Sequence, residues 1–272
     1  MSKTLDIVKK YNFRFTKSLG QNFLRDDTVL DSILEGANIS PEDNVLEIGP
    51  GFGTLTKELL KISKKVMAVE IDKKLIPILK DELKEFENFY LFNEDILKCD
   101  LNSILGEDEV KVVANLPYYI TTPVLAKLLS GHYNISSIIV MVQKEVGERI
   151  NAKVGTKNYG GLSLMIQYYS ETNIIRHVPP TAFIPSPKVD SIILKLDLLK
   201  EPRVKVNNEE DFFRLIKESF NMRRKTLWNS LKSLEYSKEH MERVFMESNI
   251  DPNRRGETLT IEEFASISNL IF

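Results

Sequence analysis

Asn115-Leu116-Pro117-Tyr118 concentrates more chemistry in four residues than any other stretch of this chain. The Asn115 side-chain oxygen and the Leu116 carbonyl are two hydrogen-bond acceptors, and Pro117 can lock the turn that aims them at one point. The Tyr118 ring offers an aromatic face. Two acceptors beside a ring suit an amino group conjugated to an aromatic base. Such an amine is a poor nucleophile because its lone pair is delocalised. Gripping its N–H bonds lets the nitrogen pyramidalise and frees that pair. The reaction then needs alignment with an electrophile, so proximity and electrostatics carry it, with no metal and no covalent intermediate. Asn and Pro are also ordinary turn residues, so their surroundings decide between the two readings.

A glycine-rich turn supplies the context: Glu47-Ile48-Gly49-Pro50-Gly51-Phe52-Gly53. The dinucleotide fingerprint puts its third glycine one position later, where this chain has Thr54. The tighter spacing favours S-adenosylmethionine, which has no pyrophosphate, over NAD. Gly49 and Gly51 are the candidate backbone contacts. About twenty positions after Gly49 comes Glu70, where a carboxylate can accept both hydroxyls of a ribose. Asp95, with Ile96 beside it, follows a third apolar run and can accept from an adenine amine.

These residues need a scaffold that brings strand ends together. Short apolar runs at Val45–Ile48, Val66–Val69, Phe89–Phe92, Val110–Ala114 and Ile138–Val142 read as buried parallel strands. Helical spacings lie between them, as at Leu55, Leu59 and Leu60, and at Leu75, Ile78, Leu79 and Leu83. The alternation predicts an α/β, doubly wound, Rossmann-like sheet. Four prolines between Val178 and Pro187 exclude a regular helix and predict an extended loop. A strand follows at Ser191–Leu196. From Asn208 the pattern turns helical, with Phe212, Phe213, Leu215, Ile216 and Phe220 on one face and Leu227 and Leu231 continuing it. Two more helices are predicted near 237–248 and 260–271. The expected domains are 1–200, with a basic segment at 1–25, and a small all-helical domain at 201–272.

The net charge is -2 over 272 residues, but the charge is partitioned. Residues 26–115 hold 20 acidic and 10 basic side chains. Residues 212–232 hold six Lys or Arg against one Glu, and residues 1–25 hold six against one Asp. Basic segments thus flank an acidic one, as expected where a protein meets nucleic acid through part of its surface, and equally where solvated surfaces are simply lysine-rich. One cysteine, Cys99, excludes an intrachain disulfide. No apolar run approaches the ~20 residues of a membrane span, and residues 1–10 lack a signal-peptide pattern, so a cytoplasmic protein is expected. His132, His177 and His240 show no metal-ligand spacing. Nothing in the sequence suggests an obligate dimer, and a monomer is expected.

Taken together, the ordered segments resemble the KsgA-type family of ribosomal RNA adenine dimethyltransferases. They are Leu19-Gly20-Gln21-Asn22-Phe23-Leu24, Glu47 to Gly53, Asn115 to Tyr118, Gln143-Lys144-Glu145-Val146, Tyr159-Gly160-Gly161-Leu162-Ser163, Ala182 to Ser191, and Arg223-Arg224-Lys225-Thr226-Leu227. The resemblance implies a class I S-adenosylmethionine methyltransferase sheet with a small helical C-terminal domain. It implies N6,N6-dimethylation of two adjacent adenines near the 3′ end of 16S ribosomal RNA, within the small ribosomal subunit, with S-adenosylhomocysteine as product. Asn22 and Leu24 would join Gly49, Glu70, Asp95 and Asn115 around the methyl donor. Phe183 would stack on the flipped adenine opposite Tyr118, with a buried anchor for the proline loop as the second reading. Arg223, Arg224 and Lys225 would meet RNA phosphates, or form a solvated helix face. Many members have Asn after the tyrosine, whereas this chain has Tyr119. The alternatives are a macrolide-resistance-type methyltransferase of large-subunit RNA, a DNA adenine methyltransferase, and a non-catalytic ribosome-assembly factor. An NAD-dependent oxidoreductase fits neither the glycine spacing nor the Asn115 motif.

Overall fold

The computed structural model describes residues 3–15, 20–222 and 224–272. Two compact units emerge: residues 1–147 with 172–198, and residues 148–171 with 199–272.

Unit 1 opens with helix α1 (Lys3–Lys10), the two-residue strand β1 (Phe23–Leu24) and helix α2 (Asp27–Ala37). Strands and helices then alternate: β2 (Asn44–Ile48), α3 (Thr54–Ile62), β3 (Lys65–Val69), α4 (Leu75–Glu82), β4 (Phe89–Phe92), α5 (Leu101–Leu105), β5 (Val110–Asn115), α6 (Thr121–Ser130) and β6 (Ile135–Gln143). After α7 (Lys144–Ile150) come β7 (Ser170–Val178), β8 (Phe183–Ile184) and β9 (Ser191–Leu198). The main sheet has the order β4-β3-β2-β5-β6-β9-β7. From β4 to β6 the neighbours run parallel, and β9 runs antiparallel to β6. Every residue of β2 is buried, as are most of β5 and β6. A strand covered on both faces is mostly apolar, which is why these strands stand out as short apolar runs, with Asn44 and Glu47 the buried polar exceptions in β2.

The chain leaves β2 toward β3 and β4, then crosses back to lay β5 on the other side of β2. That reversal opens a crevice at the carboxyl ends of β2 and β5, the place where open α/β sheets bind ligands. Ile48 stands opposite Ala114 in the register, so the glycine turn and Asn115 emerge side by side.

Two strand pairings go beyond the sequence expectation. β7, Ser-Glu-Thr-Asn-Ile-Ile-Arg-His-Val, is an edge strand with exposed Glu171, Asn173, Ile174 and His177. Its weak apolar alternation follows from that half-solvated position. β1 and β8 form a separate antiparallel pair, with Phe23 opposite Ile184 and Leu24 opposite Phe183. The proline segment thus holds one 3-10 turn, Pro180–Ala182, and then a strand.

Unit 2 contains α8 (Gly161–Tyr169), α9 (Glu209–Asn221), α10 (Leu227–Ser230), α11 (Lys238–Glu247) and α12 (Ile261–Ile271). A single cut near residue 200 does not describe it, because residues 148–171 belong to it as well. The physical reason is aromatic packing: the Tyr168 ring lies 5.2 Å from Phe212 and 5.3 Å from Phe213, and the Tyr169 hydroxyl donates to Glu209. The helix at Phe212 also stops sooner than its spacing suggests. α9 ends at Asn221, a turn follows in which Lys225 N donates to the Met222 carbonyl, and Leu227 and Leu231 start new, separate turns. Both leucines are buried all the same. Thr260 and Glu263 cap α12 reciprocally, and Glu263 also pairs with Arg254.

Candidate active site

The cleft at the switch point, of about 220 Å³, is walled by residues from every strand end around it. Gly49, Gly51, Glu70, Asp95, Ile96, Asn115, Leu116, Pro117, Tyr118 and Phe183 all line it, together with Asn22. Leu24 does not line it. Leu24 pairs with Phe183 in the small sheet, and its carbonyl accepts from Thr4 Oγ1 at 2.6 Å. Arg223 lies outside the described residues. Arg224 and Lys225 are exposed on the turn between α9 and α10, not on a helix face as one of the two sequence readings had it.

The glycine turn is built on positive φ. Gly51 has φ 61°, and a Cβ there would stand 2.9 Å from the Phe23 ring. A side chain at Gly51 would thus carry both a left-handed backbone penalty and a clash. Gly49, at φ 72°, is different: a Cβ there meets only the Asn115 carbonyl at 3.8 Å, so the space beside it is open for a ligand.

Glu70 is 5% exposed. Its Oε1 accepts from Asp72 N at 2.8 Å and its Oε2 from Gly51 N at 3.3 Å. Burial nevertheless pushes its carboxyl up to about 7, against those hydrogen bonds. Asn93 Nδ2 donates to the Glu70 carbonyl at 2.8 Å and ties the β4 loop to the β3 loop. Asp95 Oδ1 accepts from Leu97 N at 3.0 Å.

Asn115 ends β5. Its Nδ2 donates to the Asn22 carbonyl at 3.3 Å, which orients the amide and leaves Oδ1 as the acceptor for a ligand. Pro117, with φ -55°, leads into the 3-10 turn Tyr118–Ile120. The Tyr118 hydroxyl shares a 2.9 Å hydrogen bond with Ser191 Oγ at the start of β9, and burial raises its pKa. The ring of Tyr118 is therefore held from both ends, by backbone turn and by hydroxyl. Phe183 is 3% exposed and belongs to the same apolar cluster as Phe23 and Phe52.

Sequence reasoning missed three contributors. Gln21 Nε2 donates to Asp72 Oδ2 at 2.7 Å, which fastens the segment before β1 to the β3 loop. Ile71 lines the cleft while 48% exposed, an apolar side chain directly after the strand-end carboxylate. Its position after Glu70 was the available signal. The third is Glu47, buried beneath the turn with Oε2 unpartnered. Burial, with Glu70 nearby, pushes its carboxyl up to about 8.

The buried Glu47 makes stability depend on pH. In the unfolded chain a glutamate loses its proton near pH 4.5, whereas folded Glu47 keeps it until about 8. The folded state binds more protons in that window, so stability is greatest at its acidic end and falls as pH rises, by about 1.4 kcal/mol per unit. Glu70 acts in the same direction up to about 7. Glu47→Gln keeps the shape and removes the charge. It is expected to melt higher than the unsubstituted protein at pH 8.5, with the gap closing toward pH 5. Parallel melting curves at both pH values would show that Glu47 is not held protonated.

The donor set fits S-adenosylmethionine: open space beside a positive-φ glycine, a ring of apolar side chains, and a buried carboxylate matching a ribose diol. Sheet order, glycine turn, strand-end carboxylate and Asn-Leu-Pro-Tyr turn together define a class I methyltransferase. The description "Ribosomal RNA adenine dimethylase" matches residues 12–271. The chain belongs to the ribosomal RNA adenine dimethylase family. It is 57% identical over 270 residues to ribosomal RNA small subunit methyltransferase A of Clostridium botulinum (strain ATCC 19397 / Type A), covering 99% of this chain and 98% of that one. The protein of the same name from Clostridium acetobutylicum is 56% identical with the same coverage. Among solved structures, a dimethyladenosine transferase from Plasmodium falciparum superposes with TM-score 0.77 at 27% identity, over 90% of this chain and 95% of that one. The 23S rRNA methyltransferase ErmE superposes with TM-score 0.70 at 26% identity, over 92% and 99%.

Proposed function

We propose that this protein dimethylates, at N6, two adjacent adenines near the 3′ end of 16S ribosomal RNA in the small ribosomal subunit. The observation that carries the proposal is the Asn115 amide, oriented by the Asn22 carbonyl at the end of β5 and flanked by the anchored Tyr118 ring. S-adenosylmethionine supplies a methyl group on a positively charged sulfur. Glu70 accepts the ribose hydroxyls, Asp95 accepts from the donor's adenine amine, and the turn at Gly49 and Gly51 brings backbone close to its methionine part. A target adenine leaves its stack to enter the cleft. Tyr118 packs on it, with Phe183 on the other side. Asn115 Oδ1 and the Leu116 carbonyl accept the N6–H bonds, localise the lone pair and aim it. The new N–C bond forms as the methyl carbon leaves sulfur, and the amine gives up one proton to solvent. A second round repeats the step on the same nitrogen.

The small-subunit reading is favoured over the large-subunit alternative by relatives of 56–57% identity named for the small subunit. ErmE shares the fold at much lower identity. The deciding experiment offers tritiated S-adenosylmethionine with small subunits and with large-subunit RNA, both lacking dimethyladenine. Label on dimethyladenine of the small subunit is expected. Label on large-subunit RNA alone moves the protein to the resistance type, and no label leaves an assembly factor.

Arg224 and Lys225 serve the same reading as phosphate contacts within a helical RNA-contacting unit. Charge reversal at both is expected to weaken subunit binding and to flatten its salt dependence, by a slope of roughly 0.7–0.9 per lost contact. An unchanged slope would assign these side chains to solvent.

A further inference from the structure

Tyr119 has no part in the chemistry above, yet it is the most exposed aromatic side chain of the cleft, at 61%. Its neighbour Tyr118 is anchored to Ser191, whereas Tyr119 has neither a hydrogen bond nor a ring partner among the described residues. Gly20 supports it from one side. A Cβ at Gly20, where φ is 58°, would stand 3.4 Å from both Cδ1 and Cε1 of the ring, so the glycine backbone lies close along that edge. Among the described residues, most of this side chain is exposed. An apolar ring supported on one side at the mouth of a base-sized cleft is a stacking platform without its partner.

The 3-10 turn decides what that partner is. Successive residues of such a turn point about 120° apart, so Tyr118 and Tyr119 cannot hold one base between them. The second ring meets what adjoins the base on the first. A nucleotide drawn into the cleft leaves its neighbour without a stacking partner, and an exposed tyrosine ring replaces it.

We propose that Tyr119 is the stacking site for the nucleotide adjoining the target adenine, a purine base in single-stranded RNA. The proposal rests on the reading of the cleft as an adenine N6-methylation site. It makes Tyr119 a determinant of RNA binding and not of methyl transfer.

The test compares Tyr119→Ala and Tyr119→Phe with the unsubstituted protein on small subunits lacking dimethyladenine, at saturating donor. Tyr119→Ala is expected to raise KM for the subunit roughly 5- to 150-fold, the range of one lost base–aromatic stack. kcat and the Kd for S-adenosylhomocysteine stay unchanged, and Tyr119→Phe keeps the original KM. A second substrate carries an abasic residue beside the adenine being monitored. On it the unsubstituted protein shows the raised KM, and Tyr119→Ala adds nothing further. An unchanged KM in Tyr119→Ala overturns the proposal, as does an equal loss on the abasic substrate. Loss in Tyr119→Phe assigns the effect to the hydroxyl and overturns stacking. A change confined to S-adenosylhomocysteine binding gives the ring to the donor instead. If the unsubstituted protein does not methylate the subunit, the methylation reading itself falls. If it does and Tyr119→Ala matches it, only the stacking site falls.

Discussion

Asn115→Ala is expected to lower kcat for methyl transfer by about 10²–10³, the usual loss when one preorganised hydrogen-bonding group is taken from a reacting atom. The Kd for S-adenosylhomocysteine should stay within a few-fold, because Glu70 and the glycine turn remain. The size of the effect follows from the chemistry. The nucleophile is an amine whose lone pair belongs to an aromatic ring, and little but the two acceptors localises that pair. The Asn115 side chain is also oriented: Nδ2 donates to the Asn22 carbonyl, which leaves Oδ1 as the acceptor for the substrate amine. Asn115→Asp offers a control that keeps an acceptor and abolishes the Nδ2 donation, so it should recover little activity. Single-turnover rates on purified small subunits, beside calorimetry with S-adenosylhomocysteine, separate the two quantities. Unchanged turnover in Asn115→Ala would refute the catalytic role.

Glu70→Gln should weaken donor binding roughly 10- to 150-fold, the range for a charge-assisted hydrogen bond lost from a buried site. The pH dependence is the sharper expectation. A ribose hydroxyl donates, so the carboxyl must be ionised to accept from both. Burial holds its pKa at about 7, within the range where cells work. Donor affinity should therefore be level above pH 8 and fall as pH drops through 7, approaching tenfold per unit on the acidic side. Glu70→Gln should be weak and nearly flat. Glu47 titrates close by and should be replaced by Gln in both proteins, so that one carboxyl alone is read. A Kd that does not change between pH 5.5 and 8 would mean that Glu70 supports the turn without holding the ribose.

Much of the catalytic unit is legible in the chain. Phe89–Phe92 is a strand with the bounds its apolar run predicts, and the other four parallel strands extend by only a few residues. Strands buried on both faces are largely apolar, so their signal is local. Gly49, Glu70, Asp95 and Asn115 are legible for a related reason: each stands at a strand's carboxyl end or within three residues after it, and the switch point gathers such ends. Less legible were segments whose partners lie far away in sequence. β7 is half solvated and reads as polar loop. β1 and β8 are two residues each and exist only as a pair. Residues 148–171 belong with the helical tail because of rings on Phe212 and Phe213, which no local pattern announces. The break after Asn221 was masked by Leu227 and Leu231, which are buried as a continuous helix would bury them.

By itself, then, the sequence determined the sheet, the glycine turn and the chemical identity of the groups at its edge, because those depend on residue type and short spacing. The tertiary structure alone decided how those groups are held. Ser191 fixes the Tyr118 hydroxyl across 73 positions, and Asn22 sets the Asn115 amide across 93. Packing also decided that burial pushes the Glu47 carboxyl up to about 8 and that Tyr119 is left open at the mouth of the cleft. Orientation, desolvation and exposure belong to distances between remote residues, and those distances exist only once the chain has folded.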